Sequence, residues 1–175
     1  MSEAGSDVDL VIAFINTLDV EAGTDELATD ASYQDWLESQ SLPGGSLDLA
    51  REVRGALREA VTHDLHEAAD GTVHNAQCHE VPSFASPPVE VSLACGVPTL
   101  TSVDGVGLVL AASARLAITG EWDRIKICPS TACLWAFYDT SRNQSKTWCS
   151  MKVCGNREKT RKFRERARAE ETVSS

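Results

Sequence analysis

Apolar residues recur with helical periodicity in the first part of the chain. The longest such pattern runs from about residue 47 to residue 68, directly after a break at Pro43-Gly44-Gly45. Ser46 stands at the N-cap position of the predicted helix. The apolar residues are four positions apart and share one face, which we expect to be buried. These residues are Leu49, Val53, Leu57, Val61 and Leu65.

Three further segments extend this helical body. The apolar run "DLVIAFINTLD" predicts a buried helix with Asp9 as its candidate N-cap, although its β-branched residues leave a strand open. "TDELATDASYQDWLESQ" predicts an acidic loop and then a short helix with Trp36 and Leu37 facing inward. "VGLVLAASARLAITG" predicts a helix that starts after Asp104 and stops at Gly120.

The remaining pattern predicts a loop, a hairpin and a second unit. Gly, His, Ser and Pro replace the helical pattern between residues 70 and 88, which indicates a loop. "VEVSL" and "PTLTSV" alternate apolar and polar residues around "ACGV", which predicts a small β-hairpin. We therefore expect a mainly α protein of two domains. The body (residues 1–121) is helical with this hairpin, and the C-terminal module (residues 122–175) combines a β-hairpin with a helix.

Charge is distributed unevenly between these two parts. The chain has 175 residues and a formal net charge of -10, yet residues 1–121 contain four basic and 20 acidic side chains, whereas residues 122–175 contain 12 basic and 6 acidic ones. An acidic body with a basic tail indicates a polyanionic partner. The alternative interpretation is that the basic tail only balances the charge of the acidic body or docks on it. The apolar stretches are too short to span a bilayer and no secretory signal opens the chain, so we expect a cytoplasmic protein without a membrane partner.

Four cysteines in the C-terminal module have the spacing of a metal site. They form two C-x4-C pairs separated by fifteen residues: Cys128, Cys133, Cys149 and Cys154. Two turns that each present two thiolates can bind one zinc ion tetrahedrally, and in a reducing compartment such clusters are more often metal ligands than disulfides. Four buried or disulfide-bonded cysteines are the alternative. Because all four ligands are cysteine, the pattern predicts one closed, structural zinc site and not a catalytic one.

The linker between the two pairs supports the zinc interpretation. "LWAFYD" and "TWC" have strand composition and flank the polar turn "TSRNQSK", so we expect a hairpin that returns Cys149 towards Cys133. Trp135, Phe137 and Trp148 would then form a small core that depends on the metal. Gly155 would supply the backbone angles of a tight turn.

The same segment resembles a known family. "RIKICPSTACLWAFYDTSRNQSKTWCSMKVCGNREK" is similar to the CGNR zinc finger, whose name is spelled by residues 154–157, and "LVIAFINTLD" and "YQDWL" resemble the ABATE domain that usually precedes it. The resemblance covers nearly the whole chain and implies a bacterial, stress-induced transcription regulator. One departure is Lys146-Thr147, where the family pattern has two arginines.

A basic helix follows the last cysteine. We expect it to begin near Asn156, anchored by the zinc site, with Arg157, Arg161, Arg164 and Arg168 on one face. Guanidinium groups suit phosphate oxygens, so the segment predicts a nucleic-acid interface that reads no sequence by itself. Its predicted residues are Arg142, Lys146, Lys152, Arg157, Lys159, Arg161, Lys162, Arg164, Arg166 and Arg168. A solvated helix is the alternative, since Glu158–Lys162 and Arg161–Glu165 are i,i+4 pairs of opposite charge.

The function that these features predict is a zinc-dependent DNA-binding regulator. A protein-interaction module that docks an acidic partner is the alternative, followed by an RNA-binding protein, and self-association into a homo-oligomer stays open. Nucleophile-elbow, phosphate-loop and dinucleotide motifs are absent from the sequence, so we do not expect an enzyme. A second metal site among the histidines and Cys78 is less favoured than solvated side chains, because their spacing is loose.

Overall fold

The computed structural model describes residues 3–67, 87–93 and 96–173, with side chains described for residues 6–62, 87–93 and 96–166. Within these ranges the protein is mainly α, with five helices and three small antiparallel hairpins, and the predicted fold class is confirmed. None of the helices in the described part of the chain has both the length and the apolar character needed to cross a membrane.

The first helix, α1 (Glu3–Ile15), begins in the polar N-terminal segment and not at the apolar run. Its core-facing side is fully buried at Val11, Phe14 and Ile15, which are spaced to lie on one helical face. The run is therefore helical as predicted. The prediction that Asp9 caps this helix is wrong, because Asp9 lies well inside it and is exposed to solvent.

The second helix, α2 (Asp30–Ser39), starts at a capping box. The hydroxyl oxygen of Thr29 accepts a hydrogen bond from the backbone N–H of Ser32 at 3.1 Å, and the Ser32 hydroxyl in turn accepts from the N–H of Thr29 at 3.2 Å. Trp36 and Leu37 are buried, as predicted. The cap fixes where the helix starts, and that start turns both apolar side chains towards the core.

The longest body helix, α3 (Leu47–Glu67), follows the predicted N-cap. The Ser46 hydroxyl accepts from the N–H of Leu49 at 3.4 Å, a long hydrogen bond, and Leu49 packs partly buried against the core. The predicted buried stripe is confirmed at Val53, Leu57 and Val61. The side chain of Leu65, most of the loop predicted at residues 70–88, Cys78 and the four histidines lie outside the part of the chain whose side chains are described.

A small hairpin joins α1 to α2. Its strands, β1 (Leu18–Asp19) and β2 (Thr24–Asp25), pair antiparallel, and the hydrophobic pattern did not predict them. Arg54 of α3 fixes the hairpin by donating to both oxygens of Asp25, at 2.5 and 2.9 Å. The side chain of Arg54 is largely buried, so this is an ion pair inside the fold and not a surface pair.

The predicted second hairpin and the helix after it are confirmed. The strands β3 (Glu90–Ser92) and β4 (Thr99–Thr101) pair antiparallel, and α4 (Gly105–Thr119) follows. Asp104 caps α4 by accepting two of its free backbone N–H groups, at 2.8 and 3.1 Å. Gly120 ends it in the left-handed conformation, with φ at 75°. α4 packs along α1 and forms the centre of the body.

The third hairpin faces two cores. Its strands, β5 (Ile125–Ile127) and β6 (Ala136–Tyr138), pair antiparallel with Lys126 opposite Phe137. Because side chains alternate along a strand, one face of the hairpin joins the main core and the other does not. The residues on the core face are Ile125, Ile127 and Ala136. On the opposite face Phe137 packs in a second cluster with the cysteines. The main core thus continues from the body into the C-terminal module.

The strands of this hairpin differ from those that the sequence predicted. β6 lies within "LWAFYD", but its partner is β5, and "TWC" forms no strand. Asp139, directly after β6, accepts the backbone N–H groups of Ser141 and Lys146, at 2.8 and 2.9 Å. These bonds turn the chain away from β6 and replace the expected ladder with a loop.

The last helix, α5 (Asn156–Val173), begins where the basic helix was predicted, directly after a π-helical turn at Met151–Gly155. Phe163 is 73% exposed, so α5 has no buried apolar stripe in its described part. The helix is therefore held at its N-terminal end, by the turn that carries Cys154.

Candidate metal centre and basic helix

The four cysteines meet at one point. Their Sγ atoms all lie within 4.8 Å of one another, and the Cys149 Sγ is 3.6 Å from those of both Cys133 and Cys154. A tetrahedral zinc ion with bonds of about 2.3 Å would hold its sulfur ligands about 3.8 Å apart. The donor set and its spacing therefore fit one zinc ion. With four protein ligands the site is closed, which is the arrangement of a structural centre.

The first cysteine pair is presented by the connection between β5 and β6. The N–H of Cys128 donates to the carbonyl of Trp135 at 2.9 Å, which continues the ladder by one step. The N–H of Cys133 donates to the carbonyl of Ser130 at 2.8 Å and closes a turn. Leu134 then adopts a positive φ of 51°, which sends the chain back into β6. The connection thus forms a compact knuckle with both sulfurs on its inner side.

The second pair is presented by the π-helical turn. Ser150 stands before the turn, and its hydroxyl accepts from the N–H of Val153 at 3.3 Å. The N–H of Gly155 donates to the Ser150 carbonyl at 3.1 Å, which is the wide ring of a π-helix. This extra residue per turn separates Cys149, which precedes the turn, from Cys154, which lies inside it. Both sulfurs therefore reach the same point.

Gly155 has a different role from the one predicted. Its φ is not positive, so the turn does not require glycine for its backbone angles. A Cβ atom at this position would lie 2.4 Å from the Met151 Sδ and 3.3 Å from the Trp148 Cδ1. A larger residue would have to displace the end of the Met151 side chain, which is 53% exposed, so packing and not backbone angle favours glycine here.

The thiols respond differently to their surroundings. Burial opposes ionisation of Cys128, yet the backbone N–H groups of Cys149 and Ser130 donate to its sulfur and lower its pKa. Burial and the neighbouring thiols raise the pKa of Cys149 well above its ordinary value. Burial also raises the pKa of Cys154, to about 11. Four thiolates cannot coexist here without a cation, and one divalent ion supplies the compensating charge.

Asp139 organises the loop between the cysteine pairs, and the sequence did not reveal this role. It is fully buried, and besides the two backbone N–H groups it accepts the ammonium of Lys126 at 2.7 Å. Burial alone would disfavour the carboxylate, but these donors hold the pKa of Asp139 well below its usual range. An aspartate after an aromatic strand is commonly an ordinary turn residue, and the sequence carries no signal that distinguishes that role from this buried one.

The small aromatic core is present in part. Phe137 is buried among the cysteines and Trp148 packs partly buried against them. Trp135, which was predicted to join them, is instead 37% exposed and lines a cleft of about 410 Å³ beside the metal centre. The ammonium of Lys146 lies 4.8 Å from the centre of the Phe137 ring. Although lysine replaces the arginine of the family pattern at this position, a cation still contacts the aromatic core.

Two body residues that sequence reasoning missed join the body to the C-terminal module. The side-chain amide of Asn16 donates to the carbonyl of Ala136 at 2.9 Å and accepts from its N–H at 2.8 Å, and so pairs with β6 as a neighbouring strand would. Arg58 donates to the carbonyls of Ile15 and Leu134, both at 2.9 Å. The three hydrogen bonds to Ala136 and Leu134 hold the knuckle against the body, and the bond to Ile15 fixes Arg58 on α1.

Several predicted nucleic-acid residues are engaged within the molecule. Arg157 donates to Glu21 of the β1–β2 turn at 2.6 Å. Arg161 pairs with Glu158 and with Glu165, both at 2.5 Å, and Lys162 lies 3.6 Å from Glu158. The i,i+4 pairs of the solvated-helix alternative are therefore formed. Pairs as exposed as these contribute little to stability and exchange readily with other anions.

Other predicted residues are exposed, and their side chains make no hydrogen bond or ion pair with any residue in the described ranges. These residues are Arg142, Lys152, Lys159, Arg164 and Arg166. At 100° per residue Arg164 shares a side of α5 with Arg157 and Arg161, whereas Lys159 and Arg166 lie on the opposite side. The side chain of Arg168 lies outside the described residues. The predicted single arginine face is thus partly paired, and cations without a partner among the described residues occupy two sides of the helix.

Two protein-family models match the parts of the chain that carry these features. The model of the CGNR zinc finger matches residues 124–167, and the ABATE model, described as "Putative stress-induced transcription regulator", matches residues 9–121. The chain belongs to the ABATE family and ends in a CGNR zinc finger. The resemblance seen in the sequence is confirmed, and so is the cofactor, one structural zinc ion at the four clustered cysteines. None of the curated proteins compared with the chain matches it.

Proposed function

We propose that this family member regulates transcription by binding DNA through its zinc finger and α5. The family description supports a regulatory role that responds to stress. The closed zinc site and the absence of catalytic motifs from the sequence support a binding function without catalysis. A bacterial origin and a cytoplasmic location stay predictions. Self-association into a homo-oligomer stays open.

One observation carries the proposal. All four basic side chains of the body are engaged inside the fold, in bonds to carboxylates or backbone carbonyls: Arg51, Arg54, Arg58 and Arg115. By contrast, the five exposed cations of the finger and α5 have no partner among the described residues. The contacts within the fold explain the four arginines of the body, but they do not explain the five exposed cations. Exposed, unpaired cations on one module of an acidic protein are the electrostatic footprint of a phosphate-binding surface.

The structure changes which residues we expect to matter. The paired Arg161 must give up two carboxylates before it meets a phosphate, whereas Arg164 loses nothing by doing so. We therefore assign the principal phosphate contacts to the unpaired residues. Because these contacts concern the backbone, they position the protein on the duplex without reading its sequence.

The experiment is a salt titration of the full-length, zinc-loaded protein on a mixed-sequence duplex, followed by fluorescence anisotropy. Each neutralised phosphate contributes about 0.9 to the slope of log K against log salt. Replacing Lys159, Arg164 and Arg166 with Gln should flatten the slope by roughly two to three units. Arg161→Gln is the matched control for Arg164→Gln, since the two residues lie three apart on one face. Arg164→Gln should change the slope by about one unit and Arg161→Gln by less.

The second candidate is a protein-interaction module, and one contact favours it. Arg157 already binds a carboxylate outside its own helix, at Glu21, so the start of α5 can hold an acidic protein surface. If the protein binds neither duplex DNA nor RNA at about 50 mM salt, where phosphate binding is strong, the DNA proposal is overturned and this candidate takes its place. Tighter binding to RNA than to DNA of equal length would also overturn the DNA proposal.

A further inference from the structure

A cleft of about 410 Å³ opens beside the metal centre, between the β1–β2 turn of the body and the outer surface of the finger. Its walls are largely apolar, with Trp135 and Val153 exposed by 37% and 49%. Three of the four zinc ligands reach it from one side: Cys133, Cys149 and Cys154. The cleft therefore brings solvent to three of the four ligand residues of a site that is largely buried.

The four ligands differ in how open they are to this path. Cys128, Cys154 and Cys133 are 0%, 1% and 6% exposed, and Cys128 does not line the cleft. Cys149 is half-buried and is thus the most exposed of the four.

We propose that Cys149 is a modification site for soft carbon electrophiles such as α,β-unsaturated carbonyl compounds. A thiolate is the nucleophilic form of cysteine, and zinc coordination keeps Cys149 in that form at neutral pH. A sulfur lone pair forms a C–S bond to the β-carbon, the π electrons move towards the carbonyl, and the α-carbon takes a proton from water. The product is a thioether, which carries no charge and is a poor zinc ligand. Modification of one residue therefore opens the structural site.

The lining of the cleft selects among electrophiles by charge. Asp19 and Glu21 line its body side, together with the apolar side chains of Trp135 and Val153. Glu21 is paired with Arg157 at 2.6 Å, so Asp19 supplies the uncompensated negative charge of the cleft. Four thiolates around one zinc ion add a net charge of minus two. An anionic reagent is repelled on entry, whereas an uncharged or cationic one with an apolar part is accommodated. The expected modifier is therefore a neutral or positively charged enone or enal.

The test uses three maleimides that share one reactive ring and differ in the group at their end: ethyl, ammonium or carboxylate. The zinc-loaded full-length protein carries Cys78→Ser and Cys95→Ser, so that the thiols counted are the four ligands. Peptide mapping by mass spectrometry gives the order of modification, and a chromogenic chelator follows zinc release. Rates are divided by those of the same chain unfolded without zinc, which removes the intrinsic difference between reagents.

We expect Cys149 to be modified first, with zinc released at the same rate and in proportion to reagent concentration. At low salt the ammonium reagent should react roughly tenfold faster than the carboxylate reagent. First modification at another ligand would overturn the proposal. So would a rate that levels off with reagent concentration while all four cysteines are modified together, because that result places the reaction in the unfolded chain.

A matched pair of variants tests the role of the cleft. Asp19→Asn keeps the side-chain oxygen that accepts the Ala22 N–H at 2.9 Å but removes the charge, so it should bring the ammonium and carboxylate rates closer together. Asp35→Asn removes an exposed charge on α2 that does not line the cleft, and it should leave the ratio unchanged. Equal ratios in Asp19→Asn and the unsubstituted protein would show that the cleft does not select the reagent. None of these measurements depends on DNA binding.

Discussion

The buried carboxylate of Asp139 offers the sharpest test of how the finger is built. In Asp139→Asn one oxygen can still accept the N–H of Ser141, which lies 2.8 Å from Oδ1. The other oxygen becomes an NH2 group. It then faces the Lys126 ammonium and the Lys146 N–H, which lie 2.7 and 2.9 Å from Oδ2. Two donors therefore lose their acceptor and meet a third donor.

The cost of this change follows from two independent arguments. A buried donor left without an acceptor costs about 1–3 kcal/mol, and there are two of them. Removing one partner of a buried ion pair costs about 3–5 kcal/mol. Lys126 keeps its hydrogen bond to the Gln144 carbonyl and its side chain is 15% exposed, which moves the expectation to the lower end. We expect the free energy of unfolding to fall by about 3 kcal/mol.

Urea unfolding of the zinc-loaded protein at pH 7, followed by circular dichroism, measures this loss. The pKa of Asp139 is lowered by folding, so its contribution is fully present above its unfolded pKa of about 3.9 and is lost only as pH falls through the folded value. Asp123→Asn is the control, because Asp123 is exposed just before β5 and should change stability by less than about 0.5 kcal/mol. Adding Lys126→Met to Asp139→Asn removes the stranded charge and should restore roughly half of the loss.

A loss below about 1 kcal/mol in Asp139→Asn, or one equal to that of Asp123→Asn, would refute this reasoning. It would mean that water reaches the two donors and that the loop is held by other contacts. If Lys126→Met restores nothing, the backbone N–H of Lys146 and not the ammonium carries the effect.

Two further predictions concern the metal and the body. Freshly purified, reduced protein should contain one zinc ion per chain by elemental analysis, and Cys128→Ser should lose most of it while Cys78→Ser keeps it. The Tyr33 hydroxyl is buried without a hydrogen-bond partner among the described residues, and burial, with Asp104 nearby, raises its pKa to about 12. Its contribution to stability is therefore present below about pH 10, the ordinary tyrosine pKa, and is lost as pH rises towards 12. Urea unfolding at both pH values should show a smaller alkaline decline in Tyr33→Phe, and an unchanged decline would contradict the assignment.

Local signals made most of the helices predictable. Each of these signals lies within or directly beside a single helix, so short-range rules are enough to predict it. They are the capping aspartate of α4, its terminal Gly120 and the periodic apolar stripe of α3. The zinc ligands were predictable for the same reason, because a repeated spacing needs no knowledge of the rest of the fold. The start of α1 was not, since its first turns are polar and the apolar run marks the buried part of the helix and not its beginning.

The errors at the metal centre come from contacts between distant residues. β5 is three residues long and pairs with β6 across the knuckle, while the strand expected to pair with β6 is displaced by the hydrogen bonds of Asp139. Asn16 and Ala136 are 120 positions apart, and the sequence of neither suggests that an amide side chain would stand in for a strand. Trp135 has strand composition, but its exposure depends on which face of the hairpin the body covers.

The hairpin β5–β6 also bears on how such proteins diversify. Sequence comparison divides the chain between residues 121 and 124, as if two independent modules had been joined end to end. The hydrophobic core crosses that boundary, because Ile125, Ile127 and Ala136 pack against the preceding helices. A chimera that exchanges the finger at this junction would carry foreign residues into the interior of its new host. Recombination at this point would succeed only between parents whose hairpins present matching shapes to the helices, so the finger and the body are expected to be inherited as a pair.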